Sequence, residues 1–176
     1  MNVLTKTISA LIAGSLIASP VQAQSLYFND HVALAEAVER VGVDFLLNPP
    51  ECARNEKVYG WYHGYKRQLV VCQENASKFD YTEYGWTAED LDTLRHEVHH
   101  MVQDCMDNTL DGRLKSVYED PSGLAKTVLG YNKITKILNG YSDYSPHRQM
   151  MELEAFSVAA LDDPKEQLKD IQNYCM

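Results

Sequence analysis

Apolar and polar positions in this chain recur mostly with a helical period and alternate over only a few short stretches. Val32, Ala35, Val38 and Val41 follow one another at steps of three. They predict a helix from a cap at Asn29 or Asp30 to about Arg40, ended by Gly42. Val43 to Leu47 is a short apolar run stopped by Asn48-Pro49-Pro50, and it predicts a strand. Glu56 to Tyr62 and Gln68 to Cys72 read as two more strands joined through His63-Gly64, with Tyr59, Trp61 and Val71 facing a shared core. Gln73 to Trp86 is polar and aromatic and predicts loop. Thr87 then caps a helix from Ala88 to about Asp107, with Glu89 and Asp90 in its first turn and Leu91, Leu94, Val98, Met101, Val102 and Cys105 as its buried stripe.

After a connector over Leu110 to Asp120, Ser122 caps a helix carrying Leu124, Val128, Ile134 and Ile137 and closed by Gly140, with Gly130 as a weak point inside it. Ser145 followed by Pro146 starts the next helix, which runs to about Leu161. Asp163-Pro164-x-Glu166 repeats the start signal for a last helix ending near Tyr174. The expected fold class is α+β, mainly helical with a small sheet of about three strands.

Composition changes this picture at the N-terminus. Lys6, an apolar stretch from Ile8 to Ala18 and the small-x-small sequence Val21-Gln22-Ala23 predict a signal peptide over residues 1–23. A single domain over 24–176 is then expected, secreted or periplasmic, with no further apolar run long enough to hold it in a membrane. Removal of the signal takes away Lys6 and no acid, so 15 of the 16 basic side chains stand against all 25 acids, a net charge of −10. That balance argues against nucleic acid or an anionic membrane as partner. Four cysteines remain, Cys52, Cys72, Cys105 and Cys175, without a C-x-x-C pair. In an oxidising compartment they predict two disulfides rather than a cysteine zinc site. Of the three pairings, Cys52–Cys72 closing a strand pair and Cys105–Cys175 tying the long central helix to the C-terminus are favoured. Asn75-Ala76-Ser77 is formally a glycosylation acceptor.

The chemistry is concentrated in His96-Glu97-Val98-His99-His100, an H-E-x-x-H sequence on the helix that begins at Ala88. Residues four apart share a helix face, so His96 and His100 can aim two imidazoles at one Zn2+ ion. Glu97 is placed to act as general base on a water at an open coordination position. A catalytic zinc site needs a third protein ligand. Glu152, in Glu152-Leu153-Glu154-Ala155-Phe156, shares a face with Ala155, Phe156 and Ala159 and is the first choice. Glu154 lies about 200° around the helix from it, so the two cannot serve together; Glu154 is expected to face water or to orient a neighbour. Asp143 and His147 are the outside alternatives.

H-E-x-x-H followed by E-x-E-A resembles the zincin metallopeptidases, and most closely the gluzincin branch, over roughly residues 87–160. The resemblance implies a zincin-like fold, zinc, and Glu152 as the ligand that the branch supplies from a later helix. Phe156 departs from it, standing where several gluzincins place an acid that supports a ligand histidine. Asp92 and Asp104 are candidates for that support, although ordinary solvated acids is the first reading of both. Gln103 and Met106 exclude the metzincin pattern, and Pro146 stands where an aspzincin would carry Tyr. The expected function is a secreted zinc metallopeptidase acting on a peptide or protein, with Tyr141, Tyr144 or His147 as oxyanion stabiliser. The alternative is a non-catalytic zinc-binding or protein-interaction module on the same fold.

Overall fold

A computed structural model describes residues 20–54, 58–74, 85–161 and 163–176, with side chains from residue 28 onward. The expected signal segment lies largely outside the described residues, as does the Asn75-Ala76-Ser77 acceptor.

Helix α1 spans Pro20–Arg40, strand β1 Asp44–Leu47, β2 Gly60–His63 and β3 Gln68–Val71. The helices α2 (Ala88–Cys105), α3 (Pro121–Val128), α4 (Gly130–Gly140), α5 (Pro146–Leu161) and α6 (Pro164–Tyr174) follow. The class is therefore α+β, with a three-stranded mixed sheet of order β1-β3-β2. Strand β3 is central, parallel to β1 and antiparallel to β2, with Leu69 opposite both Phe45 and Tyr62. Its Leu69, Val70 and Val71 are buried, as a strand paired on both edges and covered by helices requires. A single 3-10 turn, Gly64–Lys66, joins β2 to β3 and ends on Arg67 at φ +51°.

The principal core is built from α1, the sheet, α2 and α6: Leu34, Ala37, Val38, Leu69, Val71, Leu94, Val98, Met101, Val102 and Ile171 meet there. The whole stripe expected of α2 is buried, and Thr87 starts that helix with a reciprocal capping box, its hydroxyl accepting from Asp90 N–H and Asp90 accepting from Thr87 N–H. Two disulfides, Cys52–Cys72 and Cys105–Cys175, fasten this core at the strand pair and at the far end of α2. Among the described residues no helix is long and apolar enough to cross a membrane.

Five expectations need correction. Helix α1 begins at Pro20, so Asn29 and Asp30 lie inside it rather than capping it. Its buried stripe is His31, Leu34, Ala37 and Val38, while Val32 is 42 % exposed; the helix is rotated so that His31 reaches the buried Arg95 of α2, 2.6 Å away. On β2 it is Tyr62 that packs on the core, and Tyr59 is 49 % exposed. The Tyr62 hydroxyl donates to the buried Asp104 at 2.7 Å, which gives the ring a polar partner on the inward side. The segment after Asp120 forms two helices instead of one: Gly130 takes φ +72°, which breaks the ladder between α3 and α4. The cap of α3 is Asp120, accepting from Gly123 N–H at 2.8 Å with Pro121 in first position, and not Ser122.

Candidate metal centre

Helix α5 packs along α2, and this seam carries the polar residues that sequence singled out. Its start is set as expected: Ser145 Oγ accepts from Arg148 N–H at 3.2 Å, ahead of Pro146. Two turns later Met151, Glu152, Leu153, Glu154 and Ala155 are all buried, facing a helix α2 that is itself buried from Thr93 to Cys105.

The structure brings His96, His100 and Glu152 together as a group of ligand atoms lying within 4.8 Å of one another, able to hold a metal ion. Glu152 Oε2 stands 3.3 Å from His96 Nε2 and 3.3 Å from His100 Nε2. Glu152 Oε1 is turned away and accepts from Arg148 Nε at 3.0 Å, one turn earlier on α5. The carboxylate is thus split, one oxygen fixed by the guanidinium and the other offered to the imidazoles. Burial raises the Glu152 pKa, but the hydrogen bonds and charge of His100 and His96 outweigh it and hold the carboxyl well below the usual range. Burial likewise lowers the His100 pKa, and Glu152 more than offsets it, so the net direction is upward. The His96 and His100 rings meet at right angles with centroids 4.7 Å apart, and the Phe156 ring lies against His96 with centroids 4.3 Å apart. The residue that departs from the gluzincin pattern therefore covers the His96 ring with hydrocarbon instead of supporting it with charge.

Glu97 is buried beside the group. Desolvation pushes its carboxyl above the ordinary range, opposed by His96, His100 and Arg148 and aided by the negative charge of Glu152. A cation held by the three ligands would pull it back down. Strand β2 closes this side. A Cβ on Gly60 would come within 2.7 Å of Thr93 Cγ2, 2.6 Å of the Val70 carbonyl and 3.2 Å of Glu97 Cγ, so only glycine lets the edge strand lie this close to the helix.

The three candidates for an electrophile part company. Tyr141, at the end of α4, is half-buried and meets Phe156 edge-on, ring centroids 6.1 Å apart. Burial and then the charges of Glu152 and Glu97 raise its pKa far above the ordinary phenol value, so it remains a donor. Tyr144 is 54 % exposed and leans on Tyr141 at 5.5 Å. His147 Nε2 donates to the Leu114 carbonyl at 2.9 Å, in the connector before α3. Asp143 is exposed and lies outside the group.

The family described as Domain of unknown function (DUF8637) matches residues 25–176. The chain belongs to that family. Neither the curated proteins nor the solved structures contain a match to it.

In this DUF8637 chain, sequence reasoning missed three residues around the centre. His99 is fully buried and its Nε2 pairs with Glu154 Oε1 at 2.8 Å. Burial lowers the His99 pKa in spite of that carboxylate. Gln103 bonds His100 on one side and Glu154 on the other. Arg148 fixes Glu152. Glu154 itself does not face water; it is fully buried and orients neighbours, the second of the two roles expected of it. The helical angle between Glu152 and Glu154 is as anticipated, yet both are engaged, because Glu152 meets His96 and His100 while Glu154 meets His99 and the connector at Ser116 and Val117. Asp104 and Asp92 support neither ligand: Asp104 is buried and accepts from Tyr62 and Gly112 N–H, and Asp92 pairs with Arg95. A polar residue three positions beyond H-E-x-x-H, on the face of His99 and His100, was the available signal for Gln103.

Proposed function

We propose that this DUF8637 chain is an exported zinc-dependent metallopeptidase of zincin type, hydrolysing peptide bonds in a peptide or protein substrate. One observation carries the reading: a single oxygen of Glu152 stands at equal distance, 3.3 Å, from the outward nitrogens of His96 and His100, with Glu97 buried beside them. Ligand atoms at the corners of a tetrahedron with bonds of about 2.0–2.1 Å are separated by about 3.3–3.4 Å, the spacing zinc asks of histidine and carboxylate. Two histidines from one helical turn and a glutamate from a later helix also leave a fourth corner free. Two disulfides, and a family match that begins one residue after the expected mature start at Gln24, favour an exported chain.

Zinc bound there would lower the pKa of a water toward neutrality and polarise the scissile carbonyl. Glu97 accepts the proton of the attacking water and passes it to the leaving amine. Tyr141 donates from the end of α4 toward the developing oxyanion. Arg148 keeps Glu152 aimed inward, and Phe156 excludes water from one face of His96.

The test uses the chain from Gln24 to Met176, purified with zinc, and an unfolded fluorogenic protein substrate. Wild type is expected to hold one zinc per chain and to cleave. Glu97→Gln is expected to keep its zinc and to cleave about 10²–10⁴-fold more slowly. Equal rates in the two proteins would remove Glu97 as the base. Zinc in both with cleavage in neither would leave a non-catalytic zinc-binding module, and no zinc in either would remove the metal reading.

A further inference from the structure

The two imidazoles at the centre are not supported alike. His96 Nδ1 is buried and has no hydrogen-bond partner among the described residues. His100 Nδ1 lies 2.8 Å from Gln103 Oε1. Gln103 is fully buried. Its amide nitrogen lies 3.1 Å from the Met151 carbonyl and 3.1 Å from Glu154 Oε1.

Which way that amide faces is decided by its neighbours. The Met151 carbonyl can only accept. Glu154, as a carboxylate, can only accept, and it already receives the His99 imidazole at 2.8 Å, Val117 N–H at 3.0 Å and the Ser116 hydroxyl. A flipped amide would set its oxygen against two oxygens in a buried seam and leave its own donors without acceptors, so the flip is strongly disfavoured. The nitrogen of Gln103 therefore faces α5, and its oxygen faces His100. An oxygen there requires a proton on His100 Nδ1. The lone pair of the neutral ring is then on Nε2, the nitrogen turned toward Glu152, and only the protonated ring, with a proton on each nitrogen, donates to Glu152 as well.

We infer that Gln103 is a positioning residue that fixes His100 as the Nδ1–H tautomer, with Glu154 and the Met151 carbonyl setting the direction of its amide. His100 is in this way a preformed ligand, with its ring angle and tautomer fixed before any ion arrives, whereas His96 is held by packing against Phe156. This explains why an acid two residues past Glu152 is buried without joining the ligands: it acts on the centre through one intervening amide. The consequence for metal affinity rests on the zinc reading above. The tautomer does not, since it is a property of the protein alone.

The test is a 15N-edited spectrum of the imidazoles in the metal-free chain at alkaline pH, paired with zinc affinity by chelator competition. In wild type, His100 should carry its proton on Nδ1. Gln103→Met, which keeps the length and removes both amide atoms, should give a mixture of tautomers at His100 and bind zinc about 10–100-fold more weakly. A residue with only a packing role would lower the melting temperature and leave the tautomer unchanged. A wild-type His100 protonated on Nε2 overturns the inference whether or not the variant folds, and so does a Gln103→Met protein whose His100 tautomer and zinc affinity match wild type. In that last case wild type still holds zinc and the zinc reading stands. A wild type that takes up no zinc defeats the zinc reading, while the spectrum still decides the role of Gln103.

Discussion

The body of this protein and its α3–α4 arm solve the same folding problem with very different resources. The body gathers ten or more fully or nearly fully buried apolar side chains from α1, the sheet, α2 and α6, and closes them with two disulfides. The arm, Pro121–Gly140, rests on α5 through a cluster whose buried members are Ala125, Ile137 and Leu153, and it turns Tyr131 outward at 83 % exposure. The centre lies where they meet. His96, Glu97 and His100 come from the best-packed helix of the body, while Tyr141 comes from the end of the arm. The difference teaches that the proposed ligands are set by a rigid frame, and that the group proposed for the oxyanion is carried by the part with less burial to hold it.

The disulfides test the frame most severely. In the chain-entropy view, opening Cys105–Cys175, which closes 70 residues, costs about 4.4 kcal/mol, against about 3.3 kcal/mol for Cys52–Cys72, which closes 20. Double Ser variants at each pair, unfolded in urea, should fall in that order. The reverse order would mean that the end of α2 is held by packing alone.

Core truncations sharpen the contrast next. Leu94→Ala empties a fully buried site in the body and should cost about 3–5 kcal/mol in one global transition. Ile137→Ala, in the arm, should cost about 2 kcal/mol or less, and amide exchange should quicken in α3 and α4 before α2. If both proteins open everywhere at once, body and arm are one cooperative unit and the distinction fails.

Tyr141→Phe asks whether the arm contributes to the chemistry. Zinc content should be unchanged and turnover should fall about 10–100-fold, a loss at the low end for one removed oxyanion donor. Unchanged turnover would reduce the arm to a cover over Phe156.

The smallest effect belongs to Asp170 on α6. Burial, and then the charge of Glu166, raise its pKa to about 6, with Lys169 opposing. Its folded value lies above the unfolded value of about 3.9. The stability it contributes is therefore present below about pH 4 and is lost as pH rises through about 6. Half-exposed as the group is, solvent screening keeps the effect below about 1 kcal/mol. Asp170→Asn should flatten the melting temperature between those pH values; an identical profile in both proteins would show that Asp170 ionises freely.

Much of the body was legible because its signals are local. Thr87 with Asp90, Ser145 with Pro146 and Asp163 with Pro164 each satisfy backbone N–H groups within a few residues, so they act wherever the helix ends up. The stripe of α2 was legible for the same reason: every residue in it points to one side of a single cylinder. The stripe of α1 was displaced, because the choice between Val32 and His31 depends on Arg95 waiting on α2. At β2 the choice between Trp61 and Tyr62 turned on Asp104, 42 residues away, accepting the Tyr62 hydroxyl. Alternation tells which residues share a face, and only the partner tells which face is inside.

By itself, then, the amino-acid order determined the helices and their caps, the pair of imidazoles one turn apart with an acid beside the first, and the use of cysteines in pairs, because each depends on spacing along one element or on composition. Only the tertiary structure decided that Glu152 meets both imidazoles through one oxygen, that Glu154 reaches His100 through Gln103, and that Arg148 and Tyr141 stand near while His147 turns to Leu114. Those outcomes hang on the rotation and depth at which α5 lies against α2. Packing of many small contacts fixes these, and no single residue encodes them.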